Sequence, residues 1–315
     1  MKKYISIYTG ILTILCCLFL SAGYYLYPVK NIVHQKLNPT KETIHIFFNI
    51  DNNYAKYMAV TIASILTNTE NPLSFHILHS GISLENMDKI LKLKEIRNFD
   101  IEFTDFNMNL LKSLPEYKFE HIKKESAIRI FIPFIFKNFD KYIYLDADLI
   151  MLHDINELWE TDLDSFYIAA VKDPYIKHQF ELPNNTTYIN AGVLVVNAKL
   201  WRQNHIDKKF EKIIQDNFSN LPYLDQDIIN LAFLNKIKIL PDSYNAIPTV
   251  KYPDVYQEKN AFTNPRIIHW AGWGKPWRIF NIKYSDLFWK YAKMTDFYFQ
   301  IRLDMLLHPH IIFES

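Results

Sequence analysis

Residues 44–79, IHIFFNIDNNYAKYMAVTIASILTNTENPLSFHILH, spell out a strand, a polar turn, a helix and a second strand in succession. Ile44–Ile50 is an almost continuous apolar run, the pattern of a strand buried on both faces. Tyr57–Leu66 has helical spacing, and Leu73–His79 is apolar again. The alternation continues outward. Ser83–Leu93 reads as a helix with Ser83 as its N-cap, and Ile101–Phe106 as a third strand. Ala127–Phe136 reads as an apolar helix kinked or ended near Pro133, followed by a strand at Lys141–Leu145. This β-α-β-α-β order predicts an α/β fold with a mostly parallel central sheet and ligands at the carboxyl ends of its strands. Further strands are expected at Tyr167–Val171, Ala191–Val196 and Lys236–Leu240, and helices at Ala198–Phe218 and Gln226–Leu234. From Tyr284 the chain reads helical and aromatic.

A chain of 315 residues, 49% hydrophobic, can bury a large core. Lys and Arg number 35 against 34 Asp and Glu, so no basic footprint for nucleic acid exists. Both cysteines, Cys16 and Cys17, lie in the N-terminal apolar stretch, which leaves the remainder without a disulfide or a cysteine metal site.

That stretch, Tyr4–Leu26, carries no charge over 23 residues, enough to span a bilayer. We expect residues 1–27 to be a membrane anchor, with a cleaved signal peptide as the rival reading. The tyrosines after Ser21-Ala22-Gly23 make a poor cleavage region. Residues 28–42 read as a linker, 43–282 as the catalytic domain, and 283–315 as a helical segment packed on it.

Three separated segments carry compatible chemistry. Asp146-Ala147-Asp148 follows the apolar run Tyr142–Leu145, and its spacing turns both carboxylates to one side of an extended turn. Two hard carboxylates suit Mg²⁺ or Mn²⁺; the alternative is a solvated turn. His269 ends the run Ile267-Ile268, and an imidazole added to carboxylates shifts preference toward Mn²⁺. Gly272, Gly274 and Lys275 follow it, with backbone amides and a point charge suited to a diphosphate. Asp51-Asn52-Asn53-Tyr54 follows the first strand, where it reads either a base or simply caps the next helix. Arg129 is a charge in an apolar segment and must be paired with a phosphate, a carboxylate or a sugar. Asp225-Gln226-Asp227 is either an acidic helix start or part of a site, and Asp173 ends a strand.

In order along the chain stand FFNIDNNY, SAIRIF, YLDADLIM, INAGVLVVN, LDQD and HWAGWGKPW. This ordered set, from about Thr43 to Trp277, resembles retaining glycosyltransferase family 8, which includes bacterial lipooligosaccharide galactosyltransferases and glycogenin. The resemblance implies a Rossmann-like GT-A fold and a UDP-sugar donor. By it, Asp146, Asp148 and His269 hold Mn²⁺, with Mg²⁺ as the substitute, while Gly272 and Lys275 hold the diphosphate. Asp51, Asn53 and Tyr54 match the uridine turn, and Ala147 packs on the ribose. Arg129, Asn190, Ala191, Asp225 and Gln226 line the donor sugar, with Gly192 beside them, and Asp173 lies near sugar and acceptor. Gln226, Asp173, Asp225 and Arg129 are thus the expected catalytic group, acting on a hexose and a glycan or glycolipid hydroxyl. The family's basic, aromatic C-terminal tail is replaced here by the scarcely basic HPHIIFES.

Two other readings stand against this one. In a phosphohydrolase of the haloacid-dehalogenase kind, D-x-D belongs on the first strand, whereas three predicted strands precede Asp146. A membrane-tethered, non-catalytic UDP-sugar or glycan-binding protein would not need every metal and diphosphate residue. Sequons at Asn184, Asn185 and Asn217 bear on topology: a bacterial enzyme is expected to face the cytoplasm, a eukaryotic one the Golgi lumen.

Overall fold

The computed structural model describes residues 41–106, 124–175, 186–217, 221–248, 259–279 and 281–307. The expected anchor, nearly all of the linker, and Asn184 and Asn185 lie outside these residues. Among the described residues no helix is long and apolar enough to cross a membrane.

The chain begins with β1 (Ile44–Asp51), α1 (Ala55–Asn68), β2 (Leu73–Ser80), α2 (Leu84–Leu91) and β3 (Asp100–Asp105). A 3₁₀ segment, Lys124–Phe131, leads into the short α3 (Ile132–Ile135), then β4 (Lys141–Leu145), β5 (Leu149–Met151) and α4 (Asn156–Trp159). There follow β6 (Ile168–Lys172), β7 (Ile189–Asn197), α5 (Ala198–Gln203), α6 (Ile206–Asn217), α7 (Asp225–Ala232) and β8 (Ile237–Leu240). A 3₁₀ turn at Asp242–Asn245, α8 (Lys259–Thr263), β9 (Ile267–His269), α9 (Ser285–Ala292) and α10 (Tyr298–Leu307) complete it.

Seven strands form one sheet in the order β3-β2-β1-β4-β7-β6-β8. β1 pairs in parallel with β2 and β4, β2 with β3, and β6 with β8. β7 alone runs against its neighbours β4 and β6. The sheet is thus mostly parallel as expected, with β7 as its one reversed strand. Both faces of the sheet are covered. Ile44, Ile46 and Phe48 of β1 pack with α1 in one cluster, while Phe47 joins Tyr142, Tyr144, Trp201 and Phe210 in the other. This two-sided burial is why β1 reads as a continuous apolar run.

α1 is buried along most of its length. Its apolar residues share a cluster with Phe288, Tyr291, Phe297 and Ile301 from the C-terminal segment. Two polar residues of α1 have a separate task. Thr61 Oγ1 donates to the Leu149 carbonyl at 2.7 Å and to that of Ala147 at 3.2 Å, and Ser64 Oγ accepts from the Met151 amide at 2.8 Å. These buried hydroxyls hold the chain leaving β4 in place, which aims Asp146 and Asp148.

Several local expectations are revised. Pro133 falls in the first turn of α3, where its missing N–H costs nothing, so it starts a helical turn. The expected helix at Ala198–Phe218 breaks into α5 and α6 at Asn204-His205, with His205 at φ 50°. The C-terminal helix is likewise two, α9 and α10. Ser83 caps α2 as expected, accepting from the Asn86 amide at 3.2 Å. The short pair β5–β9 was not foreseen, because three-residue strands leave no periodicity to read.

Candidate active site

β5 and β9 build the centre of the site. Their antiparallel ladder pairs Leu149 with His269, Ile150 with Ile268 and Met151 with Ile267. The histidine thereby arrives beside the aspartates that lie just before β5. Ligand atoms of Asp146, Asp148 and His269 all lie within 4.8 Å of one another. His269 Nε2 is 3.1 Å from Asp148 Oδ1 and 3.7 Å from Asp146 Oδ2. The imidazole is 2% exposed. Space for this cluster depends on Gly192: a Cβ there would stand 2.3 Å from His269 Cε1 and 2.7 Å from Asp146 Oδ2. Two carboxylates and an imidazole around one point, beside a position that tolerates no side chain, fit a divalent ion.

Lys275 is buried and its ammonium contacts Asp148 Oδ2 and the Trp270 carbonyl. The expected diphosphate lysine therefore rests on one of the carboxylates expected to hold the metal. Burial pushes the Asp148 carboxyl up, but the Lys275 ammonium beside it outweighs that and holds the group below the usual carboxylate range. Gly272 has φ +75°, a conformation that favours glycine, with open space where a Cβ would be. Its role is backbone shape, whereas that of Gly192 is close approach.

Arg129 is enclosed by the opposite wall. Its Nε is 2.7 Å from Asp225 Oδ2, Nη2 is 3.1 Å from Asp146 Oδ1, and Nη1 donates to the Ala191 carbonyl at 2.9 Å. The guanidinium lies over the Tyr144 ring, 4.5 Å from its centre. Of the three pairings open from sequence, carboxylates take it here. Burial works against the charge, but Asp146 and Asp225 outweigh it and raise the Arg129 pKa above its ordinary value. Asp225 is the first residue of α7, after Leu224 at φ 32°, so it is an ion-pair partner and not a helix cap. Burial pushes its carboxyl up to about 6 against the pull of Arg129. Losing one partner of such a buried pair costs roughly 3–5 kcal/mol.

The residues expected to line a donor sugar form a connected network. Gln226 Oε1 accepts from the Ala191 amide at 3.0 Å, and its Nε2 donates to Asp173 Oδ2 at 3.2 Å. Asn190 Nδ2 also donates to Asp173 Oδ2, at 3.1 Å, and Asn190 Oδ1 accepts from the Gly192 amide at 3.0 Å. The β4–β7 ladder stops at Leu145–Val193. Beyond it, the Gly192 carbonyl still accepts from the Asp146 amide at 2.8 Å, while the Ala191 amide and carbonyl and the Gly192 amide serve side chains. These three residues were expected to open a strand; they lie within β7.

The turn expected to bind uridine is tight. The Tyr54 amide donates to Asp51 Oδ1 at 2.9 Å, and Asn52 Oδ1 accepts from the Ser83 amide at 2.9 Å. Asn53 is exposed and Tyr54 half-buried. Asp51 closes the turn before α1, and Tyr54 stays partly accessible beside it. Ala147 is only 6% exposed and packs into the core, leaving little surface for a ribose.

Two participants, Asn245 and Tyr188, were missed from sequence, and Asp227 was read only within the Asp225-Gln226-Asp227 motif. Asn245 is fully buried and meets His269 Nδ1 at 2.9 Å. Tyr188 donates to Asp227 and lies 3.4 Å from Gln226 Nε2. Asp227 is buried, reaches back to accept from the Tyr223 amide at 2.6 Å, and burial pushes its carboxyl up to about 7. Asn245 did carry a signal: like Asn190, it is an amide at the head of a short apolar run.

Residues 45–280 match the family model described as glycosyl transferase family 8. The chain belongs to glycosyltransferase family 8. Family 8 members are glycosyltransferases, and this chain is an enzyme of that class. It is 31% identical over 268 residues to a lipopolysaccharide 1,2-glucosyltransferase of Escherichia coli, covering 79% of this chain and 78% of that protein. General stress protein A of Bacillus subtilis is 28% identical over 273 residues, covering 81% and 94%. Among solved structures, galactosyltransferase LgtC in complex with donor and acceptor sugar analogues superposes with a TM-score of 0.69 at 25% identity, covering 80% of this chain and 96% of LgtC. The family 8 fold, a mixed α/β sheet of the GT-A kind, is thus the fold observed here.

Proposed function

We propose that the chain transfers a hexose, galactose or glucose, from a UDP-sugar to a hydroxyl of a glycan or glycolipid, with retention at the anomeric carbon. Surface polysaccharide or lipopolysaccharide synthesis is the setting, supported by the likeness to a lipopolysaccharide glucosyltransferase. One observation carries the reading: the Asp146, Asp148 and His269 ligand atoms converge within 4.8 Å. Their immediate neighbour is the Arg129–Asp225 pair.

Asp146, Asp148 and His269 would hold the metal, and the imidazole favours Mn²⁺ over Mg²⁺. When bound, the ion supplies positive charge against that gathering on the departing diphosphate. Lys275 moves from Asp148 to a phosphate, and the Gly272 turn offers backbone to the same group. Asp51, Asn53 and Tyr54 hold the uridine. Arg129, Asn190, Asp225 and Asp173 fix the sugar, so that binding supplies orientation. Gln226 is a poor nucleophile, both because it is a neutral amide and because its Oε1 is tied to the Ala191 amide. Attack of the acceptor on the face the UDP leaves, with a phosphate oxygen as base, is the step we favour. The N-terminal apolar run would tether the domain, on the cytoplasmic side in a bacterium, where UDP-sugars are made.

The test is incubation of the full chain with a panel of UDP-sugars, Mn²⁺ and glycolipid acceptors. UDP release is followed, and the anomeric configuration of the product is read by NMR. Retained configuration with one preferred UDP-hexose is expected. UDP-sugar binding without transfer or hydrolysis would mark a binding protein, and phosphate release from simple esters a phosphohydrolase.

A further inference from the structure

Between the metal cluster and the sugar-facing carboxylate lies a chain of side chains whose hydrogen-bond directions can be worked out. The Gly192 amide donates to Asn190 Oδ1 at 3.0 Å, and a backbone N–H can only donate. That oxygen is thereby identified, so the Asn245 atom facing it at 2.9 Å is the donor Nδ2. The other amide atom of Asn245, Oδ1, then faces His269 Nδ1 at 2.9 Å. Nδ1 must carry the proton, which leaves Nε2 to face Asp148 and Asp146. On the far side, Asn190 Nδ2 donates to Asp173 Oδ2, which also accepts from Gln226 Nε2.

Asn245 is placed rigidly enough for this task. It is fully buried. The next residue, Ala246, donates to the Ile267 carbonyl at 2.9 Å and accepts from the His269 amide at 2.9 Å. The asparagine is thus strapped alongside β9, and its amide stands between two rows of site residues.

We propose that Asn245 is a positioning residue that sets the His269 tautomer for metal ligation through Nε2 and, through Asn190, ties that ligand to Asp173 in the sugar pocket. The inference rests on the metal and sugar roles given under Proposed function. Partners that orient a metal-ligating imidazole typically change metal affinity 10–100-fold when removed. Asn245 differs from a simple imidazole anchor because its second amide atom also sets the orientation of Asn190.

That double use gives a discriminating pair of variants. Asn245→Asp keeps an oxygen toward His269 Nδ1 but presents a second acceptor to Asn190 Oδ1. Asn245→Ala removes both contacts. The experiment uses the full chain in detergent, with Mn²⁺ binding followed by the EPR signal of free ion, sugar transfer by initial rates, and folding by circular dichroism. For Asn245→Ala, Mn²⁺ binding weakens roughly 10- to 100-fold. For Asn245→Asp, Mn²⁺ binding is equal or tighter, while kcat falls roughly 10- to 100-fold because the sugar-side groups are misplaced. A purely structural role would lower thermal stability without separating metal affinity from kcat. Wild-type Mn²⁺ affinity in Asn245→Ala, or wild-type kcat in Asn245→Asp, overturns the positioning role while leaving the metal site intact. Absence of Mn²⁺ binding by the wild-type chain overturns both the positioning role and the metal reading. If Asn245→Ala does not fold, the kcat and affinity of Asn245→Asp decide alone.

Discussion

Gly192 lies so close against His269 that a single added carbon would come within 2.3 Å of the imidazole Cε1. Gly192→Ala is therefore expected to push apart the metal cluster. Overpacking of this kind costs roughly 1–3 kcal/mol, so the protein should fold with a lowered Tm. Mn²⁺ binding measured by EPR should drop at least about tenfold, since a ligand shifted by ångströms leaves the coordination distance. Binding within twofold of wild type would show that the cluster is not the metal site.

Asp148→Asn should abolish transfer while leaving the far-UV circular dichroism unchanged. Asp148 lies against both His269 and Lys275, so its charge organises the cluster. A loss of at least about 10²-fold in kcat is expected, the scale seen when a group opposing developing charge is removed. Turnover in Mn²⁺ equal to wild type would remove Asp148 from the ligand set.

Lys275→Ala has two expected effects of opposite kind. UDP binding in Mn²⁺, measured by calorimetry, should weaken about tenfold or more, as for loss of a charged hydrogen bond. Mn²⁺ alone should bind at least as tightly as to wild type, because the ammonium that rests on Asp148 is gone. Unchanged UDP affinity would end the diphosphate role.

Asp227 should leave a signature in stability against pH. Burial places its carboxyl at about 7 against an ordinary 3.8. Between those values the native state holds a proton that the unfolded chain releases. Its contribution is therefore fully present below about 4 and is lost as pH rises toward 7. In urea unfolding at pH 5 and pH 8, wild type should lose more stability on going to pH 8 than Asp227→Asn does. The ceiling is about 1.4 kcal/mol for each unit by which the pKa is raised. Parallel curves for the two proteins would mean that the carboxylate is ionised throughout.

Most of the sheet could be read from sequence because burial on two faces writes long apolar runs, as in Ile44–Ile50. The antiparallel sense of β7 could not, since a strand buried along its length looks the same in either direction. Asp146, Asp148 and His269 were legible as ligand types, and the β5–β9 ladder brings them together. Asn245 and Tyr188 were not read, and Asp227 was read only as part of an acidic motif. A buried amide, hydroxyl or carboxyl earns its place through partners distant in sequence, and no local pattern records them. Lys275 was legible as a cation, whereas its resting place on Asp148 follows only from packing.

The three-residue pairing that sets Leu149 opposite His269 makes the chemistry of this enzyme a matter of alignment between two short ribbons. A slip of one position would turn the imidazole to the other face and extinguish the site without disturbing the large sheet. Provided that alignment is kept, only the surface loops between the ribbons can vary, because β6, β7, β8 and the site residues Asp173, Gly192, Asp225 and Asn245 lie in the same stretch. Changes at those loops can thus accumulate while the Asp146, Asp148 and His269 cluster stays fixed.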